Sequence, residues 1–328
     1  MLNGLFPLYL TVFLLTLTVT AFSEKRLIPL LSGRAQQPIY EDGPRWHKKK
    51  SGTPTMGGIA FVAATAISLG SASLVLFGIG KSSEAISLLI SIAYAILNSL
   101  VGILDDLKKL KRKENQGLSA KQKLLLQAII AILFLTARGL VFGDGTDLRF
   151  SFGGLELGFL YYPLALIMLL GIVNCANLTD GIDGLASGVA FSIGVALFYV
   201  SASLFTDVAL ISSAIIGSAV GFLFFNIHPA KIFMGDTGSL FFGALIISVF
   251  FSLKNPLLAT LVCAVYVTEG ISVILQVLCY KSTGKRLFKM APLHHHLEKM
   301  GFGENKICII AMIVTFLFSI PAFILYLP

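Results

Sequence analysis

The sequence predicts an all-α polytopic membrane protein with ten transmembrane helices, and three observations carry that prediction. Of its 328 residues, 56% are hydrophobic and 13% charged, and the mean hydropathy is +0.86. A soluble domain carries about 25% charged residues. Ten apolar segments follow one another at 4–22, 57–79, 85–104, 124–142, 158–174, 185–203, 208–225, 238–253, 256–279 and 307–327. A span needs roughly 20 such residues. Finally, the connections on one side of these segments hold 21 Lys and Arg, and the other side holds 4, counting Arg138 near the end of its segment. That bias predicts a multi-pass protein with the basic side in the cytoplasm and both termini outside. Residues 1–328 read as a single integral membrane domain, with no room for a large soluble one.

The first segment has no positive charge before it, and Lys25 and Arg26 follow it. It reads as a retained span rather than a cleaved leader. Gly and Ser inside the spans let helices approach closely. The external connection 143–157 alternates Leu148, Phe150 and Phe152 with polar residues and contains Gly153-Gly154. A small β-hairpin is expected near 148–157, turning on the two glycines. The ninth segment is interrupted by Thr268, Glu269 and Gly270. A carboxylate at that depth needs a protein-lined or wet cavity, or a partner on a neighbouring helix. A bend or break is expected near Glu269.

Composition excludes several classes. Cys175, Cys263, Cys279 and Cys308 lie in or beside apolar segments with no CxxC spacing, so neither a disulfide framework nor a zinc site is expected. The net charge of +8 comes from short basic runs beside spans, which is a topology signal and not a nucleic-acid surface. There is no GxxxxGK[ST] loop, no GxSxG and no serine triad.

What remains is a set of acidic and polar clusters on the basic side. Asp105 and Asp106 end the third segment and precede Lys108, Lys109, Lys111, Arg112 and Lys113. One Asp can cap a helix; a pair beside five cations also suits an anionic headgroup. NCANLTDGIDGLASG brings Asn174, Asn177, Asp180 and Asp183 together, more than capping requires. FFNIHPAKIFMGDTGS supplies Asn226, His228, Lys231, Phe233 and Asp236. Asp236 can be a simple first-turn residue, and Phe233 an interfacial anchor or a stacking surface for a nucleobase. APLHHHLEKMG holds His294, His295 and His296, which as neighbours do not share a helix face. GPRWHKKKSGTPTMGG adds His47, Lys48, Lys49 and Lys50. Carboxylates with lysines fit a Mg²⁺-dependent enzyme joining a phosphorylated soluble donor to a phosphorylated lipid.

Together, GTPTMGG, the Asp-Asp pair, NLTDGIDGLA, FNIHPAKIFMGDTGS and APLHHHLEKMG resemble the bacterial phospho-N-acetylmuramoyl-pentapeptide transferase family. That family lies within the polyprenyl-phosphate N-acetylhexosamine-1-phosphate transferases. The resemblance runs in order from about residue 41 to residue 304. It implies an enzyme that moves phospho-N-acetylmuramoyl-pentapeptide from its UDP derivative to undecaprenyl phosphate, giving lipid I and UMP, the first membrane step of peptidoglycan synthesis. It also implies Mg²⁺, a homodimer and a bacterial inner-membrane location.

Position by position, the resemblance makes Asp236 the principal Mg²⁺ ligand, with Asn177 a second. Asp105 and Asp106 match the essential pair. Lys50, Asp183, Asn226 and Phe233 match a nucleoside pocket, with Asp180 beside them. Lys109 and Lys121 match phosphate contacts, and His294, His295 and His296 match the motif tied to the muramoyl substrate. Two other readings stay open: a UDP-N-acetylglucosamine-1-phosphate transferase, and an ion-coupled transporter using Glu269.

Overall fold

The computed structural model describes residues 4–33, 35, 50, 52–112 and 116–326. His47, Lys48, Lys49 and Lys113 of the sequence motifs lie outside them. Twelve helices are described: α1 (Phe6–Leu31), α2 (Gly58–Gly78), α3 (Ser82–Arg112), α4 (Ala120–Phe142), α5 (Tyr161–Thr179), α6 (Leu185–Ser201), α7 (Thr206–Asn226), α8 (Gly235–Ser252), α9 (Ala259–Val262), α10 (Ala264–Thr283), α11 (Leu293–Glu298) and α12 (Glu304–Tyr326). Among the described residues, nine helices are long and apolar enough to cross a membrane. The tenth expected segment is α6, an apolar helix of 17 residues. It packs on α7, α12 and α8, so it is held by neighbours more than by contact with lipid.

α8 is the centre of the bundle. Every residue from Thr237 to Phe251 is buried, because α2, α3, α5, α6 and α7 all pack around it. A helix hydrophobic on all sides and enclosed by others has no amphipathic face to present. Phe61 of α2 stacks on Phe242 of α8 with ring centroids 4.5 Å apart, and further Phe contacts to Phe222 and Phe241 extend this aromatic block.

The ninth segment is broken, and the interruption falls at Cys263, between α9 and α10. That is within two turns of Glu269, which itself sits in regular helix. Glu269 is buried and accepts the His294 backbone N–H at 3.1 and 3.2 Å. With its carboxylate partnered, no break is needed at that residue. Beyond it, α10 leaves Ile271, Ile274, Leu278 and Tyr280 exposed.

The hairpin is present as β1 (Asp147–Phe150) and β2 (Gly153–Glu156), antiparallel, with Asp147 opposite Glu156 and Phe150 opposite Gly153. The turn therefore lies at Ser151-Phe152, not at Gly153-Gly154. Gly153 (φ +132°) opens the second strand. Phe150 and Phe152 stack at 5.1 Å, and the Ser151 N–H donates to the Leu325 carbonyl. These contacts shift the turn toward the end of α12. Arg149 N–H to the Lys254 carbonyl and Asn255 Nδ2 to the Arg149 carbonyl pin the hairpin to the end of α8. The hairpin thus closes one end of the bundle. Asp105, Asp106, Asp180, Asp183 and Asp236 gather at the other, where α3 and α5 end and α8 begins.

Candidate active site

The site is built around the first turn of α8. No local side chain caps that turn; a carboxylate from α3 does so instead. Asp106 Oδ1 accepts the Asp236 N–H at 3.1 Å, and Oδ2 accepts the Thr237 N–H at 3.0 Å and its hydroxyl at 2.7 Å. Negative charge at a helix N-terminus is favourable. The close approach of α3 requires Gly102: a Cβ there would collide with the Asp236 carbonyl. Asp106 is 4% exposed, and its first task is to fix where Asp236 stands.

Asp105, one residue earlier, turns to a different set of partners. Its Oδ1 accepts the Leu118 N–H at 2.7 Å, and Lys109 Nζ lies 2.7 Å from Oδ2. Lys109 also reaches Asp236 Oδ2 at 3.2 Å. Lys123 pairs with the same oxygen and stands 3.6 Å from Asp105. Asn177 Nδ2, near the end of α5, donates to Asp236 Oδ1 at 2.9 Å and to Ser239 Oγ at 2.8 Å. A cavity of about 710 Å³ opens over this cluster. Asp105, Asp106, Lys109, Lys123, Asn177, Asp180, Asp236, His294 and His295 all line it. Desolvation, then the negative charges of Asp236, Asp106 and Asp183, push the Asp180 carboxyl well above the usual carboxylate range, against the pull of Lys50.

A second charged node stands beside the first. Lys50 Nζ bridges Asp183 Oδ1 and Glu304 Oε2, both at 2.7 Å. Asp183 Oδ2 lies 2.8 Å from His228 Nδ1 and accepts the Ala230 N–H at 3.1 Å. The Asp183 N–H donates to Glu304 Oε2 at 2.7 Å. Asn226 is buried below, accepting from Gly184 N–H at 3.0 Å and donating to the Ile232 carbonyl at 2.9 Å. Its hydrogen bonds brace two loops. Phe233 is half-buried, and its backbone pairs with Pro54 and Gly57. Lys50, Asp183, Asn226 and Phe233 therefore come together, next to the larger cavity rather than among its lining residues.

The three histidines separate by environment. His294 is fully buried, with Nδ1 3.2 Å from Glu269 and its ring closed against Gly181. His295 lines the cavity and places Nδ1 2.7 Å from Glu298 Oε2. His296 accepts the Lys289 N–H at 3.1 Å and packs edge-on against Phe288, so it holds the preceding loop and does not line the cavity.

Lys121 is exposed and outside the cavity lining, whereas Lys123 reaches Asp236. Residues two apart on a helix point to different faces, and the capping box of Ser119 and Gln122 fixes only where α4 starts. The sequence carries that box but no sign of which lysine faces the carboxylates. Glu304 carried no signal either, since an acid at the start of an apolar span reads as an ordinary first-turn residue.

Three carboxylates, from Asp105, Asp106 and Asp236, offer oxygens within 4.8 Å of one another. Hard oxygen donors in that number suit Mg²⁺. With Asp180 alongside, the carboxylates outnumber the two lysines that face them, so the residues fit a divalent cation.

Residues 86–254 match the model of glycosyl transferase family 4, and residues 50–62 match the phospho-N-acetylmuramoyl-pentapeptide-transferase signature 1. Curated relatives carry the same name. The chain is 38% identical to the phospho-N-acetylmuramoyl-pentapeptide-transferase of Halalkalibacterium halodurans over 312 residues, 94% of each chain. It is 42% identical to those of Bacillus mycoides and Caldicellulosiruptor bescii over 291 residues, 87% of each chain. With this coverage and the paired aspartates converging on Asp236, the chain belongs to the phospho-N-acetylmuramoyl-pentapeptide transferases.

Proposed function

We propose that the chain transfers phospho-N-acetylmuramoyl-pentapeptide from UDP-N-acetylmuramoyl-pentapeptide to undecaprenyl phosphate, releasing UMP and lipid I. The observation that carries this reading is the convergence of Asp105, Asp106 and Asp236 with Lys109 and Lys123 at one end of a bundle of apolar helices. A phosphate oxygen of the lipid attacks the sugar-bearing phosphorus of the donor. A new pyrophosphate bond forms, the original bridging P–O bond breaks, and the bridging oxygen leaves with UMP. The acceptor phosphate is already largely anionic near pH 7 if its second pKa is about 6. The main barrier is therefore bringing two anions together.

Lys109 and Lys123 meet that need by moving from carboxylate partners to phosphate oxygens. Asp236, with Asn177, would hold Mg²⁺, which supplies charge neutralisation when bound. Asp106 keeps Asp236 in place, and Asp105 orients Lys109 and the lipid phosphate. The Lys50–Asp183–Glu304 node takes the uridine end, with Phe233 as its stacking surface, and His295 faces the muramoyl side. In the cell, the aspartate end faces the cytoplasm of a bacterial inner membrane, both termini lie outside, and two copies form a homodimer acting in cell-wall synthesis.

The test is UMP release from UDP-N-acetylmuramoyl-pentapeptide by purified protein, with and without undecaprenyl phosphate and Mg²⁺. Release requiring all three components is expected. Equal or better turnover of UDP-N-acetylglucosamine would overturn the choice of sugar, and Mg²⁺-independent release would remove the metal role.

A further inference from the structure

We propose that the crevice between α4 and α5, at the hairpin end of the bundle, is a phospholipid headgroup site that takes phosphatidylethanolamine. The transfer reaction makes no use of it. The crevice encloses about 600 Å³ between apolar walls that include Leu135 and Leu166. Phe159 and Tyr162 line it and are themselves strongly exposed, as aromatic side chains are at a membrane–water boundary.

Among these apolar walls is a charged pair with unmet hydrogen-bonding capacity. Arg138 is 4% exposed and donates to Asp144 Oδ2 at 2.7 Å, to Ser252 Oγ at 3.3 Å and to the Phe251 carbonyl at 3.1 Å. A guanidinium has five N–H donors, so two remain. Asp144 has the opposite shortfall: its Oδ1 is buried and accepts no hydrogen bond. Leaving such an acceptor unmatched is unfavourable, and both residues line the crevice.

The complement is a group that brings a cationic N–H donor to Asp144 and a phosphate to the spare donors of Arg138. Phosphoethanolamine has both, joined by two carbons, and its acyl chains would follow the apolar walls into the bilayer. Phosphocholine has the phosphate but no N–H. Phosphoglycerol has hydroxyl donors but leaves the carboxylate charge unmatched. The site therefore discriminates by headgroup as well as by greasiness, which a bare lipid-facing crevice does not.

The experiment is native mass spectrometry of the delipidated full-length protein mixed with equal amounts of phosphatidylethanolamine, phosphatidylcholine and phosphatidylglycerol. Wild type should retain phosphatidylethanolamine about tenfold over phosphatidylcholine, the effect of one hydrogen bond to a charged group. Asp144→Asn should lose that preference while releasing UMP at the wild-type rate. Leu166→Trp should fill the crevice and lose the bound lipid, and it decides the matter if Asp144→Asn does not fold. Equal retention of the three lipids by wild type, or an unchanged preference in Asp144→Asn or Leu166→Trp, would overturn the proposal.

Discussion

Asp106, buried at the end of α3, and Asp236, half-buried in the first turn of α8, meet at one point yet should fail differently. Asp106 accepts three hydrogen bonds that fix the first turn of the helix. Asp106→Ala removes a cap and should cost about 1 kcal/mol of stability or more, read as a fall in Tm. Asp236 faces lysines and an asparagine rather than the helix backbone, so Asp236→Asn should fold and lose turnover by about 10²-fold or more, the scale of a lost electrostatic stabiliser. Near-normal UMP release from Asp236→Asn at saturating Mg²⁺ would exclude an essential role. Glu304 sits one step further back, behind Lys50 and Asp183. Glu304→Gln should raise KM for the nucleotide donor more than it lowers kcat; equal changes would place it in the chemistry.

Asp180 gives a pH signature. Its carboxyl is held above the ordinary range in the folded protein, so on raising the pH the unfolded chain loses that proton first. The folded state then binds more protons than the unfolded one, and stability falls as pH rises above about 4. Asp180→Asn should therefore raise the Tm of the ligand-free protein at neutral pH, with the gap closing toward pH 4. A gap that widened on acidification would reverse the assignment.

At the scale of elements, Gly102 sets the site from outside the cavity lining. Gly102→Ala drives a methyl into the Asp236 carbonyl and should cost about 1–3 kcal/mol, as overpacking does, with turnover falling alongside Tm. Apolar runs, basic connections and the hairpin were legible in the sequence because each is a local pattern. The register of those elements was less so. Gly153 suggested the turn by its backbone freedom, but the stacked rings of Phe150 and Phe152 and the tie from Ser151 to Leu325 place it one pair earlier. Glu269 suggested a break in its neighbourhood; the break falls at Cys263, while pairing with His294 lets α10 run through Glu269 itself. Lys121 matched by motif, while the phase of α4 brings Lys123 to the carboxylates. In each case the deciding contact comes from a residue distant in sequence or from helix phase, neither of which a motif displays.

For the whole molecule, the cluster around Asp236 and the hairpin lie at opposite ends, so they should be accessible from opposite sides of a cell membrane. In a cysteine-free background, Ser151→Cys should react with an impermeant maleimide added to intact cells, and Lys285→Cys should react only after permeabilisation. The reverse pattern would invert the orientation read from the basic connections. That the acidic connections share one end was legible from counting spans, since every second connection of a multi-pass bundle returns to the same side. The resemblance already set Asp183 apart from Asp105, Asp106 and Asp236, but the place of Glu304 beside Asp183 was not legible, because it arises only once α12 has packed.

α8 connects those two ends with no face free for lipid or solvent. Substitution along it therefore meets resistance at almost every position, whichever direction the side chain points. An inhibitor anchored on Asp236 and the first turn of α8 would rest on the part of the protein least able to change. Escape variants should then arise in the more exposed loop before α11. A ligand drawing its affinity from α8 alone should select few of them.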